Sequence, residues 1–295
     1  MINIINIQKF DYFEIIIIYD DENKKYYNLL KNYIKKFSFI KLICNEYKRG
    51  IFYSISYGVM QAKGNYLMIL NPNCLFLDRN TLQNIYNEAK KDDLDILEFN
   101  LYKILSDNYI NLYKCNHFIS QFNLTEIKYN LEYNNIDINK ELLTNKIFRS
   151  EYLKNIIKNY KLDKFNEVID YYYNEIFEFL IQNNFHKFKR ISSESIYIND
   201  NDFDKIIFNN FTYKETKKIN ETIFYINFIF DNSKNENKIK EKVLKEFFNV
   251  LSIIFNKYCK ISQNSLKLIN KFIKSNYISK DNKILLKFYY NSLIN

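Results

Sequence analysis

The first half of the chain places two adjacent carboxylates close to a cluster of residues that permit or force unusual backbone geometry. Asp20 and Asp21 follow the apolar run Phe13–Tyr19. All 3 glycines, at positions 50, 58 and 64, and the single proline, Pro72, fall within 23 residues. Glycine permits positive φ and close approach of other groups, and elsewhere it costs roughly 0.5–1 kcal/mol. The clustering predicts a backbone-dependent site between Lys48-Arg49-Gly50 and Asn71-Pro72-Asn73, although a glycine that merely ends a helix would also explain Gly64.

Cysteine and histidine offer little metal-binding chemistry in this sequence. The 4 cysteines are widely spaced and form no CxxC pair. With no export signal in view, reduced thiols are expected. Cys115 and His117 stand together without a second pair of ligands nearby, so no zinc site is predicted. His186 is interpreted as an exposed or packing histidine.

Composition indicates a folded protein. At 295 residues and 47% hydrophobic content, the chain can bury one large core or two smaller ones. No apolar run approaches the roughly 18–20 residues of a membrane span. The amino terminus has no basic segment followed by an apolar one, which would mark a secretory signal. A cytoplasmic protein is therefore expected.

The positive charge is concentrated at the carboxyl end. Of a net charge of +9, residues 231–295 carry +8, from 13 lysines and 5 acidic residues. These lysines are interspersed through apolar helical patterns and are accompanied by no arginine, which argues against nucleic-acid binding. The composition suits either helices packed on a domain with solvated lysines, or peripheral contact with an anionic membrane surface.

Strands and helices alternate over the first hundred residues. The predicted strands are Ile15–Tyr19, Phe39–Cys44, Tyr66–Leu70 and Asp95–Leu101. The predicted helices are Lys24–Phe37, Ile51–Ala62 and Thr81–Lys91. This order is typical of a parallel α/β sheet that binds ligands at the carboxyl ends of its strands. Further on, the pattern predicts helices over 150–160, 170–183 and 237–260 and a short strand near 190–198.

Several short motifs occur in the order found in one enzyme family. They are Asp20-Asp21-Glu22-Asn23 after the first strand, Asn45 through Gly50, Ala62-Lys63-Gly64-Asn65-Tyr66 and Asn71-Pro72-Asn73-Cys74. Later segments, Lys146-Ile147-Phe148-Arg149 and Glu194-Ser195-Ile196-Tyr197, continue the series. Together they resemble the nucleotide-sugar domain of a family 2 glycosyltransferase over residues 5–200.

The resemblance implies an α/β fold of the GT-A (Rossmann-like) type with a mostly parallel sheet. The implied glycosyltransferase domain covers residues 1–200, with a donor half at 1–110 and an acceptor half at 111–200. Residues 201–295 would form a basic helical region. The implied reaction is transfer of a sugar from a nucleotide-diphosphate donor to a hydroxyl of a glycan or lipid-linked acceptor, with inversion.

The resemblance also implies roles for individual residues. Donor binding would fall to a set drawn from the strand ends and the glycine-containing loop: Asp20, Asp21, Arg49, Gly50, Asn71 and Asn73. A divalent cation, Mg²⁺ or Mn²⁺, would be held at Asn71 and Asn73 and would neutralise the leaving diphosphate. The general base that takes the acceptor proton is left open among Glu167, Asp170 and Glu175. Each of these acids could equally belong to a solvated helix face.

The sequence departs from the family pattern at four points. Asn71 and Asn73 replace the two metal-binding aspartates, and neutral amides should weaken metal binding by orders of magnitude. Ile55-Ser56 replaces an Arg-Asn pair, and the glycine after Asp21 is missing. The family's first strand is also absent, which predicts unpaired backbone in the middle of the sheet. These departures favour an alternative function, a non-catalytic relic that acts as a binding or scaffold protein.

Overall fold

The chain forms two compact units, Met1–Ile206 and Ile207–Asn295. The computed structural model describes residues 2–76, 78–105, 109–111, 143–165, 168–170, 173–182, 184–199, 211–232 and 263–274, together with residues 283 and 287. The strands are β1 (Ile15–Tyr19), β2 (Ile40–Cys44), β3 (Tyr66–Met68), β4 (Cys74–Leu75), β5 (Ile96–Leu105), β6 (Tyr109–Asn111), β7 (Lys146–Arg149) and β8 (Phe188–Asn199). The helices are α1 (Ile2–Asn6), α2 (Tyr27–Ile34), α3 (Ile51–Gln61), α4 (Thr81–Lys91), α5 (Ser150–Tyr160), α6 (Tyr173–Gln182), α7 (Phe211–Asn232) and α8 (Gln263–Ile273).

The strands of the first unit are divided between two sheets. Strands β1 and β2 pair in parallel, and this pair stands apart from a 6-stranded sheet of order β3-β7-β5-β8-β4, with β6 on β5. Within the larger sheet, β5 and β8 run parallel, whereas β7 runs antiparallel to both β3 and β5. Among the described residues, no strand lies between β1 and β3, and these two strands do not pair with each other.

Apolar residues explain how the helices cover the sheets. Ile5 of α1 and Ile85 of α4 join Phe76, Leu97 and Phe99 in one buried cluster. A second set of contacts surrounds Phe52 of α3, whose ring centroid lies 5.1 Å from that of Phe177 and 5.7 Å from that of Phe165. Helix α3 is thereby packed against α6 and the segment that precedes it.

One expectation about a helix end is wrong. Helix α3 ends at Gln61, followed by Ala62 in an extended conformation, so Gly64 does not end this helix in a left-handed conformation. Of the helix expected over 170–183, the structure describes Tyr173–Gln182, and Asp170 itself is not helical. The expected helix 237–260 and the pair Cys115 and His117 lie outside the described residues.

The described part of the second unit consists of α7 and α8. Helix α8 buries Ile269, Phe272 and Ile273 and exposes Lys267 and Lys271. Among the described residues, no helix combines the length and the apolar composition that a membrane crossing needs.

Candidate active site

The carboxylate of Asp20 holds together three pieces of chain at the carboxyl ends of β1 and β2. Its Oδ1 accepts hydrogen bonds from Asn45 Nδ2 and from the Arg49 backbone N–H, both at 2.8 Å. Its Oδ2 accepts from the Gly50 backbone N–H at 2.7 Å. Hydrogen bonds to an ionised carboxylate are among the stronger ones in proteins, so Asp20 fixes the loop that precedes α3.

Gly50 lies at the amino end of α3 with a backbone that other residues rarely adopt. Its φ is 83°, in the region that strongly favours glycine. A Cβ at this position would also lie 2.9 Å from the backbone N of Ile169. At Gly50 the backbone therefore requires glycine for two separate reasons.

Asp170, one of the three candidate bases, lies beside the same loop. Its Oδ1 accepts a hydrogen bond from the Ile51 backbone N–H at 3.0 Å, and its Oδ2 lies 3.7 Å from Lys48 Nζ. The Phe52 N–H donates to the carbonyl of Ile169 at 3.2 Å. A carboxylate at the amino end of a helix is stabilised by the free N–H groups and the helix dipole there.

Arg49 uses its guanidinium to fasten the segment that leads to Asp170. Its Nη1 donates to Tyr47 Oη at 2.6 Å, and its Nη2 donates to the carbonyl of Phe165. The guanidinium carbon lies 3.9 Å from the centroid of the Tyr53 ring, a cation–π distance. Burial raises the pKa of Tyr53, and the nearby Arg49 charge opposes this rise only in part. The Arg49 side chain is therefore directed at protein groups.

Asn71 and Asn73 form a turn of their own after β3. Asn71 Oδ1 accepts a hydrogen bond from the Asn73 N–H at 3.1 Å, and its carbonyl accepts from the Cys74 N–H at 3.0 Å. Cys74 is buried in β4 and anchors the turn. Within the described part of the chain, no hydrogen bond or ion pair joins this turn to Asp20, Gly50 or Asp170.

The turn is poorly suited to a divalent cation. Asn71 and Asn73 offer neutral amide oxygens, and that of Asn71 already accepts a backbone hydrogen bond. Hard cations are usually held by several oxygens that include carboxylates. No group of 3 or more His, Cys, Asp or Glu side chains able to hold a metal occurs among the described residues. The residues present therefore do not fit a tightly bound Mg²⁺ or Mn²⁺.

The remaining predicted residues lie outside this cluster or cannot be placed in it. Asp21 is exposed, and its Oδ2 accepts from Tyr19 Oη at 3.2 Å. Glu175 is the third residue of α6, and only its backbone is described. Glu167 lies outside the described residues. The structure thus brings together Asp20, Arg49, Gly50 and Asp170.

Sequence reasoning overlooked Asn45 as a site residue. Its Nδ2 donates to Asp20 and also to Ser54 Oγ at 3.2 Å, so it links the end of β2 to α3. The available signal was its position as the first polar residue after the strand that ends at Cys44. Polar residues at carboxyl ends of parallel strands commonly line ligand sites.

A polar cavity of about 270 Å³ lies elsewhere, at the amino ends of β5 and β8. Its lining includes Asp95, Arg149, Asn155 and His186. Arg149 is paired with Tyr66, the first residue of β3, whereas the Asn71 turn follows the last residue of that strand. The cavity and the turn therefore lie at opposite ends of the strands. His186 is exposed, in agreement with its interpretation from sequence.

Comparison with known proteins finds a family model that matches this chain and solved structures that are similar to it. The model described as glycosyl transferase family 2 matches residues 2–157, more than half of the chain. No curated protein matches this chain.

Solved structures similar to this chain include those of TarS from S. aureus. TarS 1-349 in complex with UDP-GlcNAc has a TM-score of 0.66 and 14% identity, over 100% of this chain and 83% of that chain. TarS 1-349 in complex with UDP gives 0.61 and 14%, with the same coverage. The longer TarS structure gives 0.59 and 15%, over 100% of this chain and 50% of that one. At these identities the likeness establishes the GT-A fold, which confirms the predicted α/β fold class.

Proposed function

The chain belongs to glycosyl transferase family 2, and we propose that it transfers a sugar from a nucleotide-diphosphate donor to a hydroxyl acceptor, with inversion at the sugar carbon. The observation that carries this proposal is the loop held by Asp20 at the carboxyl ends of β1 and β2. This is the edge at which α/β sheets bind nucleotides. The candidate base Asp170 bonds to the same loop.

A uridine nucleotide is the proposed donor. The similar TarS structures hold UDP-GlcNAc and UDP. In our proposal Asp21 and the loop held by Asp20 contact the nucleoside, and Gly50 lets the donor approach the backbone. Lys48 lies beside this loop with its side chain 46% exposed, so its ammonium group can meet the diphosphate. Asn71 and Asn73 contact the donor through neutral amides, so donor binding depends only weakly on a divalent metal.

Asp170 is the proposed general base. It would accept the proton of the acceptor hydroxyl while that oxygen forms a bond to the sugar carbon and the bond from this carbon to the diphosphate breaks. The diphosphate leaves with the electron pair of that bond. Glu167 and Glu175 remain alternative bases, because neither side chain is described.

Amide variants of the three acids test this assignment. Asp170→Asn keeps a carbonyl oxygen that can still accept the Ile51 N–H, so the loop should persist. Turnover should fall by roughly 10²-fold or more while donor affinity changes little. Glu167→Gln and Glu175→Gln are measured in parallel, and Glu151→Gln on the exposed side of α5 is the matched control. Full activity in all three variants would refute the proposal of a base in this segment.

The second candidate function is a non-catalytic binding or scaffold protein. The turn at Asn71 and Asn73 favours this candidate. It has no carboxylate there to hold the divalent cation that a metal-dependent transferase needs. Tight binding of UDP-GlcNAc without any release of UDP, across glycan and lipid-linked acceptors and with Mn²⁺ added, would support this candidate. Release of UDP that depends on the acceptor would support the transferase.

The acceptor is proposed to be a glycan or a lipid-linked glycan in the cytoplasm. The net charge of +8 on residues 231–295 would then attract the protein to an anionic membrane surface.

A further inference from the structure

The backbone N–H groups at the start of α3 are divided between two parts of the candidate active site. Those of Arg49 and Gly50 donate to the carboxylate of Asp20, which follows β1. The next two N–H groups along the chain donate to the carboxylate of Asp170 and to the carbonyl of Ile169. The start of α3 is therefore bonded on one side to the end of β1 and on the other to the segment that carries the candidate base.

Two names are used for these parts. We call residues 45–50 the donor loop, and the described residues Phe165, Ile169 and Asp170 the base segment. Both roles rest on the proposed function, in which the loop meets the nucleotide and Asp170 accepts the proton of the acceptor. Arg49 and Phe165 are 116 residues apart in sequence, so tertiary contacts alone hold the two parts together.

The side chain of Arg49 crosses from the donor loop to the base segment. Its Nη2 donates to the carbonyl of Phe165, and its Nη1 donates to Tyr47 Oη at 2.6 Å. The guanidinium carbon lies 3.9 Å from the centroid of the Tyr53 ring of α3. One cation thus contacts the loop, the helix and the base segment. A planar guanidinium with several donors suits this arrangement, whereas an ammonium group would not reproduce it.

The adjacent cations Lys48 and Arg49 differ in where their charges lie. The Lys48 side chain is 46% exposed, and its Nζ lies 3.7 Å from Asp170 Oδ2. Arg49 is half-buried and donates to a carbonyl and a hydroxyl of the protein. It would have to give up these bonds to meet a diphosphate, and a carbonyl left without its partner costs free energy. Lys48 is therefore the better placed of the two to contact the donor.

The contact between the donor loop and the base segment is closely packed. The rings of Phe52 and Phe165 meet edge to face, with their centroids 5.7 Å apart. A Cβ on Gly50 would lie 2.9 Å from the backbone N of Ile169 and 3.1 Å from its carbonyl oxygen. Closely packed groups transmit displacements to one another. A shift of the donor loop must therefore move the base segment or break these contacts.

We propose that Arg49 is a positioning residue whose guanidinium couples the donor loop to the base segment, so that donor binding fixes the position of Asp170. The family resemblance implies a direct contact of Arg49 with the donor, and the coupling role replaces that contact. A donor that favours one arrangement of the loop favours the matching arrangement of the base segment. The binding energy of the donor is then used to complete the catalytic site before the acceptor reacts.

Deuterium exchange of backbone amides tests the coupling on the full chain, with UDP as the probe. In the unmodified protein, saturating UDP should slow exchange in peptides from the donor loop and also in peptides that contain Phe165 and Ile169. Arg49→Met keeps an apolar stem and removes the guanidinium. This variant should bind UDP with an affinity within about threefold of the unmodified chain. The slowing that UDP causes at Phe165 and Ile169 should fall by about tenfold or more, because a charge-assisted hydrogen bond is lost.

Two further variants serve as controls. Arg79→Met removes an exposed arginine of the same unit and should change neither the UDP affinity nor the exchange pattern. Arg49→Lys tests whether a positive charge is sufficient. A single ammonium group can donate to the Phe165 carbonyl but has no planar fork, so the effect of UDP on the base segment should be intermediate.

The difference between the UDP-bound and UDP-free states separates positioning from a purely structural role. If Arg49 only stabilised the fold, Arg49→Met would speed exchange of the base segment equally in both states. Positioning also predicts that kcat with UDP-GlcNAc falls about tenfold or more while the KM for this donor changes little. If Arg49→Met does not fold, the same comparison between the unmodified chain and Arg49→Lys decides the question.

Two results would overturn the proposal. A loss of UDP affinity of more than about tenfold in Arg49→Met would make Arg49 a direct ligand of the donor. A UDP effect at Phe165 and Ile169 that is absent from the unmodified protein, or unchanged in Arg49→Met, would exclude the coupling. Failure of the unmodified chain to bind UDP is a distinct outcome, because it would refute the proposed donor and with it the function that the coupling serves.

Discussion

At the scale of single residues, the candidate site depends on one carboxylate and one glycine. Asp20 accepts three hydrogen bonds from chain segments that meet at the ends of β1 and β2. Gly50 makes the geometry possible, since its φ of 83° and its contact with Ile169 leave no room for a side chain. An amide or an alanine at these positions cannot replace what the native residues do.

Alanine substitutions at two glycines of the same region test this requirement. Gly50→Ala should lower the free energy of unfolding by about 2–4 kcal/mol, because a left-handed backbone and a close contact both become strained. Gly58→Ala is the matched control inside α3, where a Cβ would lie 3.4 and 3.8 Å from atoms of Ile18. It should be neutral or stabilising by up to about 1 kcal/mol. Urea unfolding measures both, and equal effects would contradict the account of Gly50.

At the scale of elements, a buried ionic group ties three strands of the larger sheet together. Glu98 of β5 is paired in register with Lys146 of β7 and Arg190 of β8. Its Oε2 lies 3.1 Å from Lys146 Nζ, and its Oε1 lies 2.6 Å from Arg190 Nη2. Burial pushes the pKa of Glu98 upward, but the two cations outweigh burial and hold it below its usual range. Both sides of β5 therefore depend on one carboxylate.

Removing this charge should be costly. Glu98→Gln leaves the buried Lys146 and the half-buried Arg190 without their counter-ion and should lower the free energy of unfolding by about 3–5 kcal/mol. Glu88→Gln is the control on α4, where the carboxylate lies 2.9 Å from Lys189 and the Glu88 side chain is 36% exposed. That exposed pair should contribute less than about 1 kcal/mol. Similar losses in the two variants would contradict the special role of Glu98.

The pH dependence has a definite sign. Because the pKa of Glu98 is depressed in the folded state, its contribution is present above the ordinary carboxyl range and is lost as the pH falls through the folded pKa. The difference in unfolding free energy between the unmodified chain and Glu98→Gln should therefore shrink at acidic pH. Urea unfolding from neutral to acidic pH measures this difference, and a gap that stays constant would contradict the pKa direction.

Much of the secondary structure follows from the local sequence, whereas the pairing of the strands does not. Thr81–Lys91 and Ser150–Tyr160 match the predicted helices at both ends, and Ile15–Tyr19 matches the predicted strand, because each has a clear apolar period. The antiparallel insertion of β7 between β3 and β5 joins residues far apart in sequence, which local patterns do not encode. The contact of Asp170 with Ile51 was hidden for the same reason. Asp20 and Gly50 could be predicted because strand ends and glycine requirements are local.

At the scale of the whole molecule, charge distinguishes the second unit from the first. In α8 the side chains of Ile269, Phe272 and Ile273 are buried and Lys267 and Lys271 are exposed, which favours an electrostatic mode for any membrane contact there. The proposed peripheral contact therefore predicts binding to anionic vesicles, little binding to neutral ones, and loss of binding as salt rises. Vesicle sedimentation measures this. Failure to bind vesicles of either lipid at low salt would contradict the proposed membrane contact. The lysines would then serve only to keep the helix surface hydrated.

The proposed function requires a nucleotide-sugar site whose affinity depends little on a divalent metal. Asp20 and Gly50 shape the loop, and Asn71 and Asn73 supply no charge for a cation. Calorimetric titration of the unmodified chain with UDP-GlcNAc, with and without Mn²⁺, tests this most directly. We expect saturable binding in both conditions, with affinities within about tenfold of each other, or about 1.4 kcal/mol. Binding that appears only with Mn²⁺, or no binding in either condition, would contradict the central claim.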